Sequence, residues 1–292
     1  MSQTTLLRLR SGQVHVADSG GDGLPVVLLH GSGMSKDVFH RQMSGPLASQ
    51  HRLIGIDLPG HGASANAIDP ERDYTLPGLA ASVLGAMDAL QIDRAVIYGW
   101  SLGGHIALEL MGTHADRLAG VMISGAPPIG RGTLAMLRAF RPRWDLLVAS
   151  REVFSPHDAL RFERMSFGHS ADGTFLPAIV RSDGRCRVIV NRSLMRGDGV
   201  NQRHVAETSP VPLAVIAGSE DPLPRLSYIA GLHYANLWEN QVHIIPDAGH
   251  APFLETPHAF DALLHRFATE VGVGEYVRHE HAGFVERARR RA

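Results

Sequence analysis

Three residues far apart in the chain have the types and order of one catalytic unit. Ser101 lies in Gly99-Trp100-Ser101-Leu102-Gly103, Asp221 in Gly218-Ser219-Glu220-Asp221-Pro222, and His250 in Asp247-Ala248-Gly249-His250-Ala251. A serine hydroxyl is protonated at neutral pH and attacks poorly. An imidazole that takes its proton makes it a nucleophile, and a carboxylate fixes the tautomer of the imidazole and stabilises the imidazolium. The chemistry such a set performs is acyl transfer: the serine attacks a carbonyl, an acyl-enzyme forms, and water releases the acid. The carboxylate has rivals. Glu220 is adjacent and Asp247 stands close to His250. Pro222 stiffens the turn after Asp221 and favours it, with Glu220 kept as the alternative.

The setting of Ser101 supports the role. The apolar run Ala95-Val96-Ile97-Tyr98 precedes it and a helix-like run over 102–114 follows. Strand, G-x-S-x-G and helix form a nucleophile elbow. Its turn is too sharp for bulk two residues either side of the serine. Ser101 is therefore expected in a strained conformation with its hydroxyl exposed. It also stands at a helix N-terminus, whose dipole favours developing negative charge. A tetrahedral intermediate needs two N–H donors on its oxyanion. The N–H of Leu102 is one. The loop His30-Gly31-Ser32-Gly33, after the third strand, supplies the other from Ser32, its glycines letting the backbone come close. His61, in Leu58-Pro59-Gly60-His61-Gly62, sits on a different loop and is read as structural.

The positioning elements follow from hydrophobic pattern. Short strands over 6–10 and 14–18 flank a turn at Ser11-Gly12. Fully apolar runs at Val26-Val27-Leu28-Leu29, Leu53-Ile54-Gly55-Ile56, 95–98, 118–123 and 213–217 read as buried parallel strands, with a last strand over 242–245. Helices are expected over 38–48, capped by Ser35 or Asp37, and over 74–90, 102–114, 226–232 and 257–270. Alternating strands and helices imply an α/β fold with a mostly parallel sheet. The rhythm breaks between Gly125 and Ser209, where helical pieces over 133–140, 144–150 and 157–167 are separated by Pro and Gly. That stretch is too long for a loop and reads as a helical cap inserted after the sixth strand. The expected division is a core of 1–124 and 210–270, a cap of 125–209, and a polar tail of 271–292. Gly31, Trp100, Phe140, Trp144 and Phe162 are the candidates for the walls of a substrate pocket.

Composition narrows the function class. A net charge of -1 argues against nucleic acid or an anionic membrane surface as partner. One cysteine in 292 residues excludes an internal disulfide framework. The N-terminal stretch has no long apolar segment of the secretory type. A cytoplasmic protein is the expectation. The 17 histidines are scattered without a metal-binding signature, and His279-Glu280-His281 lies in the polar tail. No metal or cofactor is expected.

Together the landmarks over residues 24–270 resemble the α/β-hydrolase superfamily. A narrower resemblance is carried by Gly99-Trp100-Ser101-Leu102-Gly103-Gly104-His105-Ile106, Asn201-Gln202-Arg203, Ala235-Asn236-Leu237-Trp238 and His250-Ala251-Pro252-Phe253. These look like the metal-independent N-acyl-homoserine lactone lactonases, bacterial quorum-quenching enzymes of that superfamily. The pattern of those lactonases has Asn where this chain has Ser32, Tyr where it has Phe162, and Glu where it has Asp221. Ser32 keeps a hydrogen-bonding group and Phe162 does not. The resemblance implies a hydrolase of a small-molecule ester or lactone. The alternatives are a general carboxylesterase, a cofactor-free haloperoxidase or dioxygenase of the same fold, and a receptor-like member that binds ligand without turnover.

Overall fold

The computed structural model describes residues 3–142 and 150–273. Eight strands form one sheet: β1 (Gln3–Leu9), β2 (Gly12–Asp18), β3 (Val26–Leu29), β4 (Leu53–Ile56), β5 (Ala95–Trp100), β6 (Leu118–Ser124), β7 (Leu213–Gly218) and β8 (His243–Ile245). Their spatial order is β1-β2-β4-β3-β5-β6-β7-β8. β1 and β2 form an antiparallel hairpin, and β2 joins β4 antiparallel. All pairs from β4 to β8 are parallel. Every residue of β3 to β7 is buried, because helices cover both faces. That is why those strands read as unbroken apolar runs.

Each face has its own core. The helices Leu76–Ala89 and Leu102–Thr113 bring Leu79, Val83, Met87, Ile106 and Leu110 to one. The helix Pro257–Gly272 brings Phe260, Leu264 and Phe267 to the other, where they meet Phe39, Trp238 and Phe253. Phe260, Leu264 and Phe267 are each fully buried, worth about 1.5–3 kcal/mol apiece. Pro257 opens this helix, where its missing N–H costs nothing.

The segment expected as one helix over 38–48 is three short pieces instead: a 3-10 turn at Lys36–Phe39, then His40–Ser44 and Leu47–Gln50. The breaker is Gly45-Pro46. Proline has no N–H to donate and drives Gly45 into extended backbone, φ -92° and ψ -173°. Ser35 caps the first piece, its side chain accepting from the Asp37 N–H.

Between β6 and β7 every described element is helical: Thr133–Ala139, Pro156–Phe167, the 3-10 turn Gly168–Ser170, Leu176–Arg181, Gly184–Arg196 and Gln202–Thr208. The excursion is fastened to the sheet domain. Tyr74 Oη donates to Asp183 Oδ2 at 2.7 Å, and the Asp183 N–H donates to the Gly60 carbonyl at 2.8 Å. Trp144, the 144–150 helix except its last residue, the His279-Glu280-His281 run and the arginine-rich end lie outside the described residues. No helix among the described residues is long and apolar enough to cross a membrane.

Candidate active site

Ser101 follows the last residue of β5 and caps the helix Leu102–Thr113. Its backbone is at φ 53° and ψ -113°, a region that costs a side-chain-bearing residue about 1–3 kcal/mol. Close approach enforces the flanking glycines. A Cβ on Gly99 would run into the Gly103 carbonyl, and one on Gly103 into the Leu29 carbonyl of β3. The Ser101 N–H donates to the Ser124 carbonyl at 2.9 Å, pinning the turn to the end of β6. The serine side chain is half-buried and borders a cavity.

His250 and Asp221 are paired. The imidazole Nδ1 lies 2.9 Å from Asp221 Oδ2 and 3.1 Å from Oδ1, with both side chains buried. A carboxylate there holds the proton on Nδ1 and leaves Nε2 free to exchange protons with a substrate or the serine. The Leu223 N–H donates to Asp221 Oδ1 at 3.0 Å, so the turn after β7 aims the carboxylate. Glu220 is exposed, and its N–H donates to the Ala248 carbonyl. Asp247 is exposed as well. Of the three candidate acids, the fold brings only Asp221 to the imidazole.

The imidazole is held from several sides. Trp100 Nε1 donates to the His250 carbonyl at 2.7 Å. The same indole packs against Phe167, Phe253 and the His250 ring, with centroids 5.6, 5.1 and 5.6 Å away. Gly125, at the end of β6, lies so near that a Cβ there would collide with His250 Cε1.

The candidate oxyanion loop packs on the elbow. A Cβ on Gly31 would come 3.0 Å from the Trp100 ring. Burial keeps His30 neutral by lowering its pKa. Its Nδ1 donates to the Gly31 carbonyl at 2.8 Å, and its Nε2 accepts the Leu58 N–H at 3.0 Å. That fixes the loop. Ser32 and Leu102 border the cavity beside Ser101 and His250, and no described acceptor engages the N–H of either. His61 is fully buried, donates from Nδ1 to the Pro59 carbonyl, and does not border the cavity. Burial lowers its pKa to about 3.

The cavity measures about 740 Å³, within the usual range for small-molecule sites. Gly31, Trp100, Phe140 and Phe162 all border it. Phe162 also closes over the loop that holds Ser32, 3.0 Å from where a Cβ of Gly33 would stand. Among the described residues no group of three or more His, Cys, Asp and Glu could hold a metal ion.

Residues 25–257 match the alpha/beta hydrolase fold. The chain belongs to that family. The crystal structure of the N-acyl homoserine lactonase AidH complexed with N-butanoyl homoserine is 36% identical and superposes with a TM-score of 0.90, covering 96% of this chain and 100% of that one. The pimeloyl-[acyl-carrier protein] methyl ester esterase of Xanthomonas campestris is 30% identical over 264 residues, 85% of this chain and 96% of its own length. The dihydrolipoyllysine-residue acetyltransferase component of the acetoin cleaving system of Pseudomonas putida is 27% identical over 252 residues, 81% of this chain but only 61% of that longer protein.

In this alpha/beta hydrolase two residues near the site have no place in the triad and oxyanion pattern. His105 borders the cavity one helical turn after Ser101, a proximity that the i, i+4 spacing could have revealed. Glu255 opens no motif. Its carboxylate accepts the Gly249 N–H at 3.0 Å and the Ala251 N–H at 2.9 Å, clasping the backbone on both sides of His250. Burial raises its pKa, while the two N–H groups and His250 pull it down. Glu255 is thus a candidate positioning residue for the imidazole. Glu255→Ala is expected to lower kcat roughly 10- to 100-fold, as small misplacements of catalytic groups do. Glu255→Gln keeps one acceptor oxygen and is expected to lose less. Steady-state kinetics on a p-nitrophenyl ester, with the rate of Ser101 labelling by a fluorophosphonate, checks this. An unchanged kcat in the alanine variant removes the role.

Proposed function

We propose that this chain is a serine hydrolase that opens the ring of N-acyl-homoserine lactones, removing acyl-homoserine signals of the quorum-sensing type. At the coarser level the chain is a hydrolase of carboxylic ester bonds. The lactone reading rests on one observation above others: likeness to the lactonase AidH over nearly the full length of both chains. The cavity supports it, with about 740 Å³ bordered largely by apolar side chains that suit an acyl chain.

In the proposed reaction His250 Nε2 takes the Ser101 proton as the hydroxyl oxygen attacks the lactone carbonyl. The N–H groups of Ser32 and Leu102 hold the oxyanion. Asp221 stabilises the imidazolium 2.9 Å away. His250 then protonates the ring oxygen as the C–O bond breaks. The alcohol stays tethered to the acyl-enzyme and can close the ring again. Water activated by His250 must therefore attack before re-closure. The helices of residues 125–209 act as a cap that supplies the apolar walls, while the core supplies the reacting groups.

A general carboxylesterase is the second reading. Phe162 favours it, since it brings a ring without a hydrogen-bonding group over the oxyanion loop. Rates on a series of N-acyl-homoserine lactones beside p-nitrophenyl esters, with excess chelator, separate the two. The expected result is kcat/KM on lactones about tenfold or more above the aryl esters, equivalent to at least 1.4 kcal/mol of transition-state preference, and indifferent to chelator. Fast aryl-ester cleavage with inert lactones would replace the lactonase by the esterase.

A further inference from the structure

His105 is a buried histidine that the proposed reaction does not use, and it borders the same cavity as Ser101 and His250. Its protonation pattern is fixed by a neighbour. Nδ1 lies 2.9 Å from Gln202 Oε1, and Gln202 Nε2 donates back to the His105 carbonyl at 3.4 Å. The second contact requires the amide nitrogen at the carbonyl, so the amide oxygen faces Nδ1. Nδ1 therefore carries the hydrogen. Burial and the nearby His250 lower the pKa of His105 to about 4, so the ring is neutral. In a neutral ring with hydrogen on Nδ1, Nε2 is a pure acceptor. No described residue donates to that nitrogen.

The pair is costly as mere packing. Gln202 is 2% exposed and His105 5% exposed, and two apolar residues would fill the space without burying polar groups. An acceptor held in one tautomer against a mostly apolar cavity is the arrangement that recognises a single donor.

We propose that His105 Nε2 accepts a hydrogen bond from an N–H on the acyl portion of the substrate, with Gln202 as the residue that fixes its tautomer. Ser101 and His105 are four residues apart on the same helical entry, the His105 N–H donating to the Ser101 carbonyl at 3.2 Å. His105 thus stands about one helical turn from the residue that attacks the scissile carbonyl. Identifying that donor with the amide of an N-acyl-homoserine lactone rests on the lactonase reading. The preference for an amide-bearing acyl group over a plain one does not.

The test uses two matched substrate pairs. One pair is N-hexanoyl-homoserine lactone against an α-alkyl-γ-butyrolactone of equal length. The other is a linear p-nitrophenyl ester of N-hexanoylglycine against a p-nitrophenyl alkanoate of equal length. For each, kcat/KM is measured with the wild-type chain, His105→Phe and His105→Gln. The expected result is that His105→Phe lowers the ratio of amide-bearing to amide-free rates roughly 10- to 100-fold, the loss typical of one buried hydrogen bond left unmade. His105→Gln, which keeps an acceptor, lowers it less. The amide-free member of each pair reports that the variant has folded. Equal losses on both members, or an unchanged ratio, overturn the proposal. Lactones inert even with the wild-type chain would defeat the lactonase reading, and the linear pair would still decide the role of His105.

Discussion

Ser101→Ala is expected to lower kcat on every ester and lactone roughly 10⁴- to 10⁶-fold, with KM changed little. The size follows from where Ser101 stands. It borders the cavity on a strained turn beside the N–H groups of Ser32 and Leu102, and nothing else on that turn can form the acyl-enzyme. Alanine keeps the turn and the proposed oxyanion donors, so a small residual rate from those donors should remain. Single-turnover hydrolysis of a p-nitrophenyl ester measures the loss. Mass spectrometry after fluorophosphonate treatment should place the label on Ser101 in the wild-type chain and nowhere in the variant. Turnover retained at the wild-type rate would remove the serine from the mechanism. It would favour a reaction run by His250 and Asp221 alone, as in a cofactor-free dioxygenase.

Asp221→Asn is expected to lower kcat roughly 10⁴-fold with the fold intact. Asparagine has the same shape, and its oxygen can still accept the Leu223 N–H that aligns Asp221 Oδ1. What it loses is the charge. An amide that donates to Nδ1 leaves the hydrogen on Nε2, where His250 can no longer receive a proton from Ser101. Glu220→Gln serves as the comparison. Its side chain is exposed and makes no contact with the imidazole, so kcat should change less than about twofold. Steady-state rates on one p-nitrophenyl ester decide between them. A large loss in Glu220→Gln with a small one in Asp221→Asn would transfer the acid role to Glu220.

The choice between those two carboxylates shows where sequence stops being sufficient. Both follow the same strand, one residue apart. The decision lies in a turn, where the Asp221 N–H donates to Gly218 and the Leu223 N–H orients the carboxylate. The elbow was legible because its geometry tolerates only glycine at 99 and 103, and steric demand leaves a mark on residue type. The central strands were legible because burial on both faces demands unbroken apolar runs. The helices Leu176–Arg181, Gly184–Arg196 and Gln202–Thr208 were not. Gly184–Arg196 carries four arginines that mask its apolar stripe of Cys186, Ile189, Val190 and Leu194. One of them, Arg187, is buried with its guanidinium on the Arg151 and Glu152 carbonyls. Glu255 stands in no quoted motif, and His105 stands inside the run from Gly99 to Ile106 with no role that its residue type announces. The contacts of each are with a partner distant in the chain or with backbone N–H groups, and sequence spacing does not show that these meet.

The excursion between β6 and β7 leaves one strand and returns on its immediate neighbour in the sheet, Ser124 pairing with Ile216. Met136, Phe140, Phe162, Met165, Val190 and Leu194 all reach the cavity from that single stretch of chain, while Ser101, Asp221 and His250 lie outside it. Much of the apolar wall and all three residues of the proposed triad therefore lie on separate segments of the chain, although Gly31, Trp100 and His105 line the cavity from the triad's side. A genetic exchange with two breakpoints could swap that part of the wall and leave the register of the sheet untouched. Such an exchange would reshape the pocket without moving the reacting groups.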